Sequence, residues 1–149
     1  MEKTQRGLLK VFLDTSVLIS ALNSTRGASF HILNSPKYIF FISEFVLAEA
    51  RNVIARKFPD KISESMLFSF IGATPITIVP LPKKNELKKF TTFVEEKDTP
   101  ILASSLKYCD ILLTLDKGIL EANSKIKKLE ITTPGELIKR ENSNLFKIE

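Results

Sequence analysis

Short, nearly continuous apolar runs that stop abruptly and alternate with helical segments are the feature that most restricts how this chain can fold. Leu8-Leu9-Lys10-Val11-Phe12-Leu13 is β-prone, carries a single charge, and halts at Asp14-Thr15-Ser16. A strand that is apolar at successive positions is covered on both faces, as a parallel strand inside an α/β domain is; a strand with one wet face alternates instead. Tyr38 to Ile42, Ile76 to Val79, Ile111 to Leu115 and Leu129 to Thr132 supply further runs. Helical patterns fall between them. Val17 to Leu22 follows the capping cluster Asp14-Thr15-Ser16, and Ala28 to Leu33 is closed by Asn34-Ser35-Pro36. Ser43 caps a helix over Glu44 to Lys57, which Pro59 follows rather than joins. Ser63 to Ile71 is another, and Glu86 to Glu96 puts Leu87, Phe90, Phe93 and Val94 on one side. Thr99-Pro100 opens the next helix, Ile119 to Asn123 is short, Gly135 to Glu141 is last, and the tail Asn142 to Glu149 is expected to fray. Strand and helix alternate throughout, which predicts an α/β sandwich on a mostly parallel sheet, as one domain over residues 1–149.

Composition narrows the chemistry. One cysteine, Cys109, excludes an internal disulfide, and one histidine, His31, excludes an ordinary Cys/His zinc site. No apolar run reaches the ~18 residues that span a bilayer. Met1 to Arg6 is polar and the next apolar stretch contains Asp14, so no signal peptide is read and a cytoplasmic location is expected. Lys+Arg exceeds Asp+Glu by 22 to 17, a charge of +5 that suits a polyanion partner but is also ordinary for a surface.

Ligands of parallel α/β sheets gather beyond the carboxyl ends of the strands, so the residues there carry the functional reading. Asp14 ends the first strand and Asp116 the Ile111–Leu115 strand. Glu49 falls on the apolar stripe Val46, Ala50, Val53, Ile54, where an unpaired carboxylate costs several kcal/mol and calls for a cation. Asp98 precedes Thr99-Pro100. Each acid also has a plain structural role: Asp14 a helix N-cap, Asp116 an Asp-Lys-Gly turn, Glu49 a half-exposed margin, Asp98 a charge at a helix start with Thr99 as the cap. Taken together, carboxylates converging on one edge repel one another unless a metal sits among them, and an all-oxygen ligand set suits Mg²⁺ or Mn²⁺. The chemistry that follows is metal-assisted attack of water on a phosphodiester. Ser16 and Thr114 flank this place as auxiliary hydroxyls, or as ordinary capping and sheet residues.

These stretches, Val11 to Ala21, Ser43 to Glu49, Asp98 to Ser104 and Asp110 to Lys117, resemble the PIN-domain nucleases in order and in strand–helix context. The resemblance implies a three-layer α/β/α fold and a Mg²⁺- or Mn²⁺-dependent endoribonuclease, with Asp14, Glu49, Asp98 and Asp116 as the catalytic and metal-binding acids. It also implies Ser16 at the place of a family hydroxyl or amide, and Thr114 in the Thr-x-Asp pattern before the last acid. Ser24 to Ser29 looks like the loop of a subgroup of toxins from toxin–antitoxin pairs. The expectation is therefore an RNA substrate, a homodimer and, within that subgroup, a small antitoxin that blocks the cleft.

Arg51 and Lys117 stand nearest the proposed site and are the candidate RNA phosphate contacts. Lys83-Lys84 with Lys88-Lys89, and Lys125 with Lys127-Lys128, either track an RNA backbone or form a solvated face. His31 is expected to pack beside Phe30 and Ile32, Cys109 to be an inert small hydrophobe, and Asp110 to turn into its strand. Two rivals remain at this point. An aspartyl-nucleophile phosphotransferase needs a second acid two positions after Asp14, where Ser16 stands. A PIN-like fold without catalysis would serve as a binding or scaffold module.

Overall fold

A computed structural model describes residues 7–148. The polar segment Met1 to Arg6 and the terminal Glu149 lie outside the described residues. Strand β1 (Leu9–Leu13) leads to helices α1 (Thr15–Asn23) and α2 (Ala28–Leu33), and β2 (Tyr38–Ser43) to α3 (Glu44–Lys57) and α4 (Glu64–Ala73). Then come β3 (Thr77–Val79), α5 (Lys84–Leu87), α6 (Thr99–Tyr108), β4 (Ile111–Leu113), α7 (Lys117–Leu120), β5 (Glu130–Thr132) and α8 (Pro134–Ile148). All strand pairs are parallel, in the order β3-β2-β1-β4-β5.

The apolar run of β1 takes the central position, where Val11, Phe12 and Leu13 are completely buried between flanking strands and covering helices. The chain steps from β1 outward to β3, then returns past β1 to β4 and β5. Parallel crossovers are right-handed, so this reversal sends the β3–β4 and β4–β5 connections to the face opposite α1 to α4 and makes three layers. Helix α6 accordingly packs on β1 and β4, while α8 returns to touch α2. Ser43 and Ser63 cap α3 and α4 by accepting from the N–H of Val46 (3.2 Å) and Met66 (3.0 Å). Asp110 ties the start of β4 to β1, its Oδ2 accepting from Lys10 N–H at 3.0 Å.

Five sequence expectations are corrected. The helix over Glu86 to Glu96 is broken: α5 ends at Leu87, a 3₁₀ turn covers Lys88–Phe90, and a second covers Glu96–Asp98. Thr91 and Thr92 are β-branched, and the Thr91 hydroxyl donates back to the Lys88 carbonyl (2.9 Å), which competes with a helical ladder. Strand β4 stops at Leu113 rather than Leu115, because Leu115 N–H donates to Ser16 Oγ (3.1 Å) instead of to a strand. Asp98, not Thr99, is the N-cap residue of α6, and the Thr99 hydroxyl donates to the Glu96 carbonyl (2.8 Å). The tail expected to fray continues α8 to Ile148. His31 is exposed on α2 rather than packed. Cys109 is buried, and burial pushes its thiol up to about 12, so it is the inert hydrophobe expected. Among the described residues no helix is long and apolar enough to cross a membrane.

Candidate active site

The register of the two central strands builds the site. Leu13 pairs with Leu113, so Asp14 and Thr114 are the first residues past the paired ends of β1 and β4. The connections from these neighbouring strands run to opposite faces, which opens a crevice at their carboxyl ends. Asp14 is 5% exposed and Thr114 is completely buried.

Asp14 is held from several sides. Its Oδ1 accepts from Thr15 N–H at 2.7 Å, and its Oδ2 accepts from the Thr114 hydroxyl at 2.6 Å and the Ser16 hydroxyl at 3.0 Å. Each hydroxyl is itself oriented by a backbone donor: Thr114 Oγ1 accepts from Asp116 N–H (3.0 Å) and Ser16 Oγ from Leu115 N–H. Ser16 and Thr114 thus clamp the β1–α1 junction to the β4–α7 loop and aim the Asp14 carboxylate. Burial raises the Asp14 pKa, the hydrogen bonds from Thr114, Ser16 and Thr15 oppose that rise, and the charge of Glu49 adds to it.

Glu49 is half-buried at the margin of the α3 stripe, with Thr15 donating its hydroxyl to Oε1. Its burial is therefore the milder alternative, yet its side chain faces Asp14. Asp116 caps α7, Oδ1 accepting from Gly118 N–H (2.7 Å) and Ile119 N–H (3.2 Å). A Cβ on Gly118 would sit 3.2 Å from that oxygen, so the glycine lets the backbone come close. Asp98 makes no side-chain hydrogen bond to its helix. Burial, then the charge of Asp116, with a smaller addition from Asp14, pushes its pKa up to about 6.

All four acids line one cleft of about 470 Å³, beside Ile19, Val53, Phe58, Ile101 and Leu115. Lys57 and Lys97 line it too, and sequence reasoning missed both. The signal for Lys57 was available: Glu49, Val53 and Lys57 are four residues apart, on one helix face. Of the expected phosphate contacts, Arg51 is turned elsewhere, its Nε donating to Glu64 Oε2 at 2.7 Å, because two residues past Glu49 is another face of α3. Lys117 is exposed and does not line the cleft. The lysine clusters at 83–84, 88–89, 125 and 127–128 are exposed and stand outside it.

The donor set fits a hard divalent cation in kind: carboxylate oxygens only, with two of the acids raised by burial and by one another's charge. Glu49 Oε2, Asp116 Oδ2 and both Asp98 oxygens accept no hydrogen bond among the described residues. As the side chains stand, no group of three or more His, Cys, Asp or Glu among the described residues is tight enough to hold a metal ion by itself. Bridging waters, which Mg²⁺ retains readily, would have to complete the shell.

The PIN domain family matches residues 11–125, and the chain belongs to that family, which supports a nuclease. No curated protein matches it in sequence. Among solved structures, it is similar to a chain of VapBC2 from Rickettsia felis bound to a DNA fragment from their promoter, at 18% identity and a TM-score of 0.63, over 83% of this chain and 97% of that one. It is similar to PAE2754 from Pyrobaculum aerophilum at 17% identity and a TM-score of 0.58, over 89% and 94% of the two chains. VapC20 from Mycobacterium tuberculosis, a Sarcin-Ricin loop cleaving toxin, aligns at 13% identity and a TM-score of 0.55, over 80% and 98%. At these identities the likeness concerns the fold.

Proposed function

We propose that the chain is a Mg²⁺- or Mn²⁺-dependent endoribonuclease, the toxin of a toxin–antitoxin pair. The observation that carries this reading is the convergence of Asp14, Glu49, Asp98 and Asp116, from four separate elements, on one cleft at the carboxyl edge of the sheet. Those acids would hold the ion, with Asp98 reaching it through water. Bound there, a divalent cation supplies the positive charge that activates water toward phosphorus and balances charge on the leaving oxygen. The chain's own part is preorganisation. Thr114, Ser16 and the Thr15 N–H keep the Asp14 carboxylate in one orientation, and Thr15 holds one oxygen of Glu49. Ile19, Val53 and Ile101 give the cleft a low-dielectric wall that strengthens each charge interaction inside it.

The toxin assignment draws on the likeness to the VapBC2 chain and to VapC20, and it brings with it a small antitoxin that covers the cleft and a homodimeric enzyme in the cytoplasm. Cleavage of a generic RNA in Mn²⁺ by the full chain, lost in Asp14→Asn, tests the activity. Cleavage by both proteins would remove the site from consideration. Growth arrest on expression, relieved by Asp14→Asn, tests the toxin role. The looseness of the acid cluster favours a second reading, a PIN-like binding module without catalysis, and cleavage by neither protein would select it.

A further inference from the structure

The cleft is not uniformly acidic. Helix α3 lays one face along it: Glu49 stands among the acids, Val53 one turn on, and Lys57 a further turn on, with Phe58 closing the helix. At 1.5 Å per residue, Lys57 lies about 12 Å along the axis from Glu49. That is beyond the acids but inside the same cleft. Lys57 is exposed and forms no ion pair among the described residues, where Arg51, Lys97, Lys107 and Arg140 all have acidic neighbours. Phe58 is half-buried: it packs on the core and also lines the cleft. A cation and an aromatic ring lining one cleft are groups that take a phosphate and a base of the same strand.

We infer that Lys57 and Phe58 form the subsite for the nucleotide next to the bond being cut, Lys57 holding its phosphate and Phe58 contacting its base. This rests on the ribonuclease reading and adds to it the residues that position the strand. An all-acidic cleft repels the flanking phosphates of its own substrate, and a cation placed just past the acids offsets that repulsion without competing with a metal for them.

The test is binding of a fluorescein-labelled oligouridine strand to the full chain, read by anisotropy over a salt series in Ca²⁺, with the strand's integrity followed on a gel. Lys57→Gln should weaken binding and reduce the slope of log K against log salt by about 0.7, the contribution of one phosphate contact on a single strand. In cleavage it should raise KM and leave kcat near that of the wild type. Phe58→Leu, which keeps the apolar packing, should weaken binding by about fivefold or more, and an abasic strand should bind the wild type and Phe58→Leu alike. Lys139→Gln, exposed on α8 and outside the cleft, serves as the control and should leave the slope unchanged. An unchanged slope in Lys57→Gln, or equal discrimination of the abasic strand by Phe58→Leu and wild type, overturns the subsite while RNA cleavage by the wild type stands. A wild type that neither binds nor cuts RNA overturns the ribonuclease reading and the subsite with it.

Discussion

Thr114→Val removes one hydroxyl and keeps the shape of the side chain, so its cost can be worked from the hydrogen bonds lost. The hydroxyl donates to the Asp14 carboxylate at 2.6 Å, and it accepts from Asp116 N–H at 3.0 Å. A hydrogen bond to a charged group contributes about 1.5–3 kcal/mol, and a donor stranded in a buried place costs about 1–3 kcal/mol more. Thr114 is completely buried, so water cannot replace its contact to Asp14 without repacking, while Asp116 is half-buried and its N–H recovers part of its loss from water. The expected loss is about 2–4 kcal/mol, which at ~3 °C per kcal/mol lowers Tm by about 6–12 °C. Ser16→Ala breaks the companion arm of the same clamp, but Ser16 is half-buried and its donor Leu115 is 47% exposed, so water can re-satisfy that N–H. Its cost should be about 1 kcal/mol. Urea unfolding of the two variants and the wild type, without divalent ions, measures both. A Thr114→Val protein within about 0.5 kcal/mol of wild type, or one no less stable than Ser16→Ala, would refute the idea that this hydroxyl holds Asp14 in place.

Asp98 is expected to make stability depend on pH. Its folded pKa, about 6, lies above the ordinary 3.8, so over that interval the folded state takes up a proton that the unfolded state does not. The contribution of Asp98 should therefore favour folding increasingly as pH falls from about 6 toward 4, and Asp14, also raised, acts in the same direction. Thermal melts of the ion-free protein should show Asp98→Asn with a flatter profile in that window; an unaltered profile would count against the shift. Mn²⁺ at about a hundred times its Kd should stabilise the chain by about 2.7 kcal/mol, with Glu49→Gln needing more ion for the same effect. Absence of any Mn²⁺-dependent rise in Tm would argue against the metal. Gly118→Ala brings a Cβ to 3.2 Å from Asp116 Oδ1, which should loosen the α7 cap at a cost of about 1 kcal/mol and lower any RNA cleavage. Chemical denaturation and an activity assay on that one variant check both halves.

Local features were legible along the chain wherever a residue's own neighbours decide its role. The β1 run, the cap Ser43, the stop before Pro59, and acids directly after two buried strands all follow from backbone propensity and from which groups a helix end must satisfy. The segment between Glu86 and Glu96 was misread because apolar spacing alone outweighed two adjacent threonines.

Distances across the fold were beyond the sequence. Asp14 and Thr114 are a hundred positions apart, and only the Leu13–Leu113 pairing brings hydroxyl to carboxylate. The same pairing turned Ser16 and Thr114 from loose candidates into one clamp. Helix rotation, set by which side of α3 the core takes, sent Arg51 to Glu64 and left Lys57 in the cleft. Composition and pattern determined that this chain would make a parallel α/β sheet with acids at strand ends, since those depend on short-range covalent geometry and burial. Which charges share a space, and which cations accompany them, was decided only when the strands aligned and the helices packed, since electrostatic interaction depends on separation in space and not along the chain.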